Sequence, residues 1–123
     1  MSAFSGQVFD DTISGTSGTW YTASKFNEGL GSGDMLAVVA SITDVGGSSP
    51  ALTVKVEHSA DGRDWIEADT SILTGAIPST GGVYHGTTPY WPTLLAFIRL
   101  KLTLTGTSPK CRVKLSAVSR NLY

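Results

Sequence analysis

Three seven-residue stretches alternate apolar and polar side chains with a period of two: Leu52–His58, Ile98–Leu104 and Cys111–Ala117. In the first, Leu52, Val54 and Val56 face one way while Thr53, Lys55 and Glu57 face the other. In the second, Ile98, Leu100, Leu102 and Leu104 oppose Arg99, Lys101 and Thr103, and in the third Cys111, Val113, Leu115 and Ala117 oppose Arg112, Lys114 and Ser116. Successive side chains of a strand point to opposite faces, so each stretch reads as an antiparallel strand with one dry and one wet face. No stretch of comparable length carries apolar residues at helical spacing without an interrupting Gly, Pro or Ser/Thr cluster.

Further strands are expected at Gln7–Ile13, Thr19–Ala23, Met35–Thr43, Asp64–Ala68 and Gly82–His85, with turns at Gly46–Pro50 and Gly106–Pro109. Met35–Thr43 is mostly apolar and so is expected to be covered on both faces. About eight strands without helical crossovers predict an all-β fold, a single antiparallel β-sandwich of jelly-roll type, with an open barrel as its competitor. The 123 residues suit one domain, with residues 1–6 as an N-terminal arm and residues 75–95 as a long aromatic loop. No apolar run reaches the roughly 20 residues of a membrane span, no signal-peptide pattern opens the chain, and no membrane partner is expected. One cysteine, Cys111, excludes an intramolecular disulfide framework.

Glu57–Trp65 reads as a hairpin connection in which Ser59 and Asp61 bond nearby backbone N–H groups, Gly62 takes the left-handed position and Trp65 starts the return strand. This turn resembles the Asp-box of sialidase-type propellers, with one residue missing between Asp61 and Gly62; that turn is structural and carries no catalysis. Together with the preceding strand, from Met35 to Trp65, and a looser echo over 96–119, it also resembles small β-sandwich virion proteins of tailed bacteriophages. The resemblance implies a head or tail structural component such as a capsid decoration (cement) protein, made in the bacterial host cytoplasm and carried on the virion. Its implied partner is a viral capsid or another virion protein, with the chain a homo-oligomer or present in repeated copies. It transfers no catalytic residue.

Candidate chemistry is sparse. His58 and His85 are the only histidines, neither with a carboxylate at ligand spacing, and Asp10-Asp11 point to opposite faces of a strand. Cys111 lies on the inward side of its strand, where a thiol acts as a small hydrophobe. Gly29-Leu-Gly31-Ser-Gly33 lacks the lysine of a phosphate loop and precedes a strand. No catalytic, cofactor or metal residue is expected, and the chain is not expected to be an enzyme.

Charge is divided along the chain. Residues 1–69 hold all 10 acids and three of the bases; residues 70–123 hold the other six bases and no acid. If the last two strands form a hairpin, Arg99, Lys101, Arg112 and Lys114 share one outward face, and like charges there need an acidic partner. That partner is either this chain's own acidic strands or the acidic surface of a neighbouring copy or a capsid. Nucleic acid is not the expected partner, because no stacking platform accompanies these bases. Tyr84, His85, Tyr90 and Trp91 of the 75–95 segment, with Phe4 of the arm, are the remaining candidate contacts; the alternative is that the loop aromatics lid the sandwich. Two other functions compete: a carbohydrate-binding module stacking sugars on Trp20, Tyr84, Tyr90 or Trp91, and a tail or neck ring component.

Overall fold

Two long strands organise the chain: β4 (Met35–Ser59, 25 residues) and β7 (Phe97–Arg120, 24 residues). They run antiparallel along almost their whole length, from Met35 opposite Arg120 to Ser59 opposite Phe97. The computed structural model describes residues 5–15, 18–22, 25–26, 35–73, 75–87 and 97–120. The other described strands are β1 (Ser5–Ser14), β2 (Gly18–Tyr21), β3 (Lys25–Phe26), β5 (Ile66–Leu73) and β6 (Gly82–Thr87).

The paired ribbon does not lie flat. In a straight strand Ile98 and Ala117 would stand roughly 60 Å apart, at about 3.3 Å per residue. Both instead line one small crevice, together with Leu36 and Leu100. The ribbon therefore folds over, and its two halves face one another as the layers of a sandwich. In the first layer residues 35–46 of β4 and 110–120 of β7 are flanked by β6 and β1; in the second, residues 48–59 and 97–107 are flanked by β5 and by β2 and β3.

The fold-over occurs where turns were expected. Gly46–Pro50 and Gly106–Pro109 do not separate strands; they are bulges inside continuous ones, with register shifts from Thr43 to Ala51. Asp44, Ser49 and Ser108 take positive φ of 53°, 51° and 46° there. Such a conformation is costly for residues with a Cβ and persists only where the surroundings hold it. Here the two bulges nest. A Cβ on Gly47 (φ +90°) would stand 2.3 Å from the Ser108 carbonyl oxygen, and one on Gly106 (φ +133°) 2.9 Å from that of Ser49. Gly, Ser and Pro suit a bulge as well as a turn, and only the partner strand distinguishes the two.

The expected hairpin of 98–104 with 111–117 is thus corrected: the two stretches belong to one strand and each pairs with β4. Arg99 and Lys101 lie on the second layer, Arg112 and Lys114 on the first. The three alternating stretches keep their faces. Leu52, Val54, Val56, Leu100, Leu102, Leu104, Val113 and Leu115 are buried in one core with Leu36, Val38 and Ile42. Met35–Thr43 was expected to be covered on both faces, but Val39 is 44% exposed. Cys111 is fully buried, and burial pushes its thiol up to about 11.

At the edges, a bulge between Gln7 and Phe9 lets both Val8 and Phe9 pack on the core. Ser5 and Gly6, assigned to an arm, already pair with Val118 and Ala117 in β1. Within the expected 75–95 loop, Ala76 bridges Ala51 and residues 82–87 form β6, which pairs with β4 without a register shift. Phe4, residues 29–33, Tyr90 and Trp91 lie outside the described residues.

Candidate binding faces

Each layer presents its outer face to solvent, and the alternation that builds the core also selects what those faces carry. On the second layer the outward residues form cross-strand rows: Thr19, Thr103 and Thr53; then Tyr21, Lys101 and Lys55; then Arg99, Glu57 and Glu67. Arg99 Nε donates to Glu57 Oε1 at 2.8 Å. Its guanidinium carbon lies 4.0 Å from the centroid of the Tyr21 ring and 4.2 Å from that of Trp65. Each such cation–π contact contributes about 0.5–2 kcal/mol depending on desolvation. Between them they tie β2, β7 and the residue that precedes β5 together.

Lys55 and Lys101 stand directly opposite each other, a repulsive pairing by itself. Glu67 relieves it by accepting from both ammonium groups, at 3.3 Å each. Those hydrogen bonds, from Lys55 first and then Lys101, hold the Glu67 carboxyl below its ordinary range.

The turn beside Trp65 forms as its residues require. Ser59 Oγ donates to Asp61 Oδ1 at 2.9 Å and accepts from the Gly62 N–H at 2.9 Å, while Asp61 Oδ1 also accepts from the N–H groups of Arg63 and Asp64 at 2.9 and 3.0 Å. Gly62 has φ +78°. The Asp64 and Arg63 N–H groups bring the Asp61 carboxyl down to about 2. The return strand starts at Ile66, one residue beyond Trp65.

The first layer's outer face differs. Its rows read Thr87, Ala37 and Val118; then His85, Val39 and Ser116; then Val83, Ser41 and Lys114. Val39, Val83 and Val118 are 44%, 71% and 36% exposed. Charge gathers at one border, where Asp10 accepts from Nε and Nη2 of Arg112 at 3.2 and 3.3 Å.

The sequence candidates therefore separate. His85 is exposed on β6, whereas Tyr84 turns inward and packs against the core. Arg99, Lys101 and Arg112 each form an ion pair with this chain's own acids. Lys114 is exposed, with no ion pair among the described residues. Trp20 is half-buried against the core. Sequence reasoning missed Tyr21, Trp65, Glu57, Glu67 and Lys55 as one cluster, because they come together only through pairing of strands far apart in the chain. Among the described residues no group of three or more His, Cys, Asp or Glu side chains is arranged to hold a metal ion.

These layers define an antiparallel β-sandwich, and comparison with known proteins returns the same class. The chain is similar in structure to a carbohydrate-binding module specific for non-crystalline cellulose, CBM28, with a TM-score of 0.56, 14% identity, and coverage of 79% of this chain and 61% of that one. It is also similar to a chain in the structure of infectious bursal disease virus, Gx strain, with a TM-score of 0.54, 11% identity, and coverage of 99% of this chain and 31% of that one. The chain spans less than two thirds of the length of either structure. No protein-family model matches the sequence, and no curated protein matches it. At these identities the likeness establishes the fold.

Proposed function

We propose that this chain is a non-enzymatic structural protein of a virus particle, a decoration protein that adheres to the head shell of a tailed bacteriophage. The observation that carries this reading is the first layer's outer face. Apart from His85, Lys114 and the Asp10–Arg112 pair at its border, the described side chains of this face are short and uncharged, and three of them are exposed valines, one 71% exposed. Such a face on a rigid sheet can be covered with little loss of side-chain entropy, because Ala, Ser and Val have few rotamers to lose. The likeness to a virus chain over 99% of this chain's length supports the same reading. Docking across neighbouring shell subunits would stabilise them by binding the assembled state alone. The test mixes purified protein with undecorated capsids and measures retention and the thermal midpoint of the shell. Retention with a raised midpoint, lost in Val83→Asp, is expected; retention without stabilisation, or none, overturns the reading.

A second reading, carbohydrate binding, is favoured by the second layer's outer face, where aromatic, charged and hydroxyl side chains share one surface. The likeness to a carbohydrate-binding module supports it. The aromatics concerned are Tyr21 and Trp65, not Trp20 or Tyr84, which pack on the core. A glycan array tests it: specific binding that Trp65→Ala abolishes would place this reading first.

A further inference from the structure

Among the ion-paired side chains described on the second layer's outer face, cations outnumber carboxylates. Three cations, Lys55, Arg99 and Lys101, share two carboxylates, Glu57 and Glu67. Glu67 is divided between the two lysines, and Glu57 engages Arg99 only through Nε. Both terminal nitrogens of the Arg99 guanidinium are without a hydrogen-bond partner among the described residues. The group is nonetheless held in place, its guanidinium carbon 4.0 Å from the centroid of the Tyr21 ring and 4.2 Å from that of Trp65. A planar, immobilised guanidinium edge matches a carboxylate, which accepts two parallel N–H bonds from it.

The surroundings narrow the ligand class. Tyr21 is 46% exposed and offers an apolar ring ending in a hydroxyl. Two and four residues along β7 from Arg99 lie Lys101 and Thr103, the latter in a row with Thr19 and Thr53. At about 3.3 Å per residue, Arg99 to Thr103 spans roughly 13 Å. A surface that offers a carboxylate fork, aromatic edges and then a row of hydroxyls is suited to a short chain of hydroxyl-rich rings carrying acid groups.

We propose that this face binds a carboxylate-bearing saccharide, with Arg99 receiving the carboxylate, Tyr21 and Trp65 flanking its ring, and Thr19, Thr53 and Thr103 bonding the hydroxyls of the following units. The proposal rests on the carbohydrate-binding reading and adds to it the charge of the ligand. The full chain is titrated with trigalacturonate and, separately, with uncharged cellotriose, following tryptophan fluorescence and heat of binding. Saturable binding of trigalacturonate, about tenfold tighter than cellotriose and weakened by added salt, is expected. Arg99→Lys keeps the charge and loses the fork, and should remove that preference. Because Arg99 also braces the fold, Tyr21→Leu at an exposed strand position provides a second variant, expected to weaken trigalacturonate binding without unfolding the chain. Equal affinity for both sugars, or a preference for acid that survives in folded Arg99→Lys and in Tyr21→Leu, overturns the carboxylate site and leaves the carbohydrate reading standing. Binding of neither sugar overturns the carboxylate site, and the carbohydrate reading falls with it only if the glycan array also shows no specific binding.

Discussion

The same two strands pass through both layers, yet the two outer faces differ in how much charge and aromatic surface they carry. Toward the core both halves of β4 and β7 present Leu, Val, Ile and Ala. Outward, the first layer carries Val39, Val83 and Val118 among Ala, Ser and Thr, with His85, Lys114 and the Asp10–Arg112 pair toward its edges, while the second carries Arg99, Glu57, Glu67, Lys55 and Lys101 with Tyr21 and Trp65. The interior constrains one residue in two along a strand, and the other residue is free to carry a surface property. A sandwich built from a folded ribbon can therefore carry two different faces, one with exposed valines and charge mainly at its border, the other charged and cross-braced throughout.

The sharpest way to break this arrangement is at the crease that separates the faces. Gly47→Ala puts a Cβ 2.3 Å from the Ser108 carbonyl oxygen at a φ of +90°. It should cost about 3 kcal/mol, read as a fall of ~10–20 °C in the thermal midpoint. Gly15→Ala provides the contrast, since φ is +123° but no atom lies within 4 Å. Only the backbone cost of about 1 kcal/mol should appear there.

Next in size is Arg99→Met. It removes both ring contacts and leaves Glu57, only 7% exposed, without its partner. A loss of about 2 kcal/mol in denaturant unfolding is expected. Arg112→Met on the first layer, where the ion pair is more exposed, should cost clearly less than Arg99→Met. Equal losses at the two sites would mean that the second face is no more rigidly braced than the first.

Val83→Asp tests the first face in the opposite sense. Val83 is 71% exposed, so stability should change by no more than about 0.5 kcal/mol while attachment to capsids is lost. A marked fall in the stability of the free protein would show that the valine supports the fold and not a contact.

The smallest effects are those of pH, and both act through β4 and the turn after it. Burial holds the His58 imidazole below its ordinary 6.5, so the folded state favours the neutral ring. Its contribution is complete above pH 6.5 and is lost as pH falls below that value toward the lowered folded pKa, because the unfolded chain takes up the proton more readily. His58→Gln should flatten that part of the profile. Asp61, brought from 3.8 to about 2 by the N–H groups of Asp64 and Arg63, contributes above about pH 4, and its share disappears as pH falls toward 2. A thermal midpoint measured against pH for wild type and Asp61→Ala should converge at the acid end.

Much of the fold was legible before any coordinates. Each of the eight expected strands overlaps a described one, and the inward set of the three alternating stretches is the core. The Ser59–Gly62 turn was equally readable, because its hydrogen bonds connect residues two and three apart. The basic hairpin was not, and with it the grouping of Arg99, Lys101, Arg112 and Lys114 on one face. Alternation states which side of a strand is buried and says nothing about which strand lies beside it. The two readings of Tyr84, partner contact or lid on the sandwich, stayed open in the sequence for a related reason: on β6, inward and outward positions follow from pairing with β4, which packs Tyr84 against the core and leaves Val83 and His85 exposed.

A period of two, a shortage of helix formers and Gly, Ser and Pro at the right intervals were enough to commit this chain to antiparallel strands with a defined apolar side, since those properties act over a few neighbouring residues. Long-range pairing assigned the rest. It made one continuous ribbon of what reads as separate strands, bent that ribbon at two nested bulges, and brought Tyr21, Arg99 and Trp65 to one place. Contacts of that kind depend on loop closure and on the packing of remote segments, which no local pattern encodes.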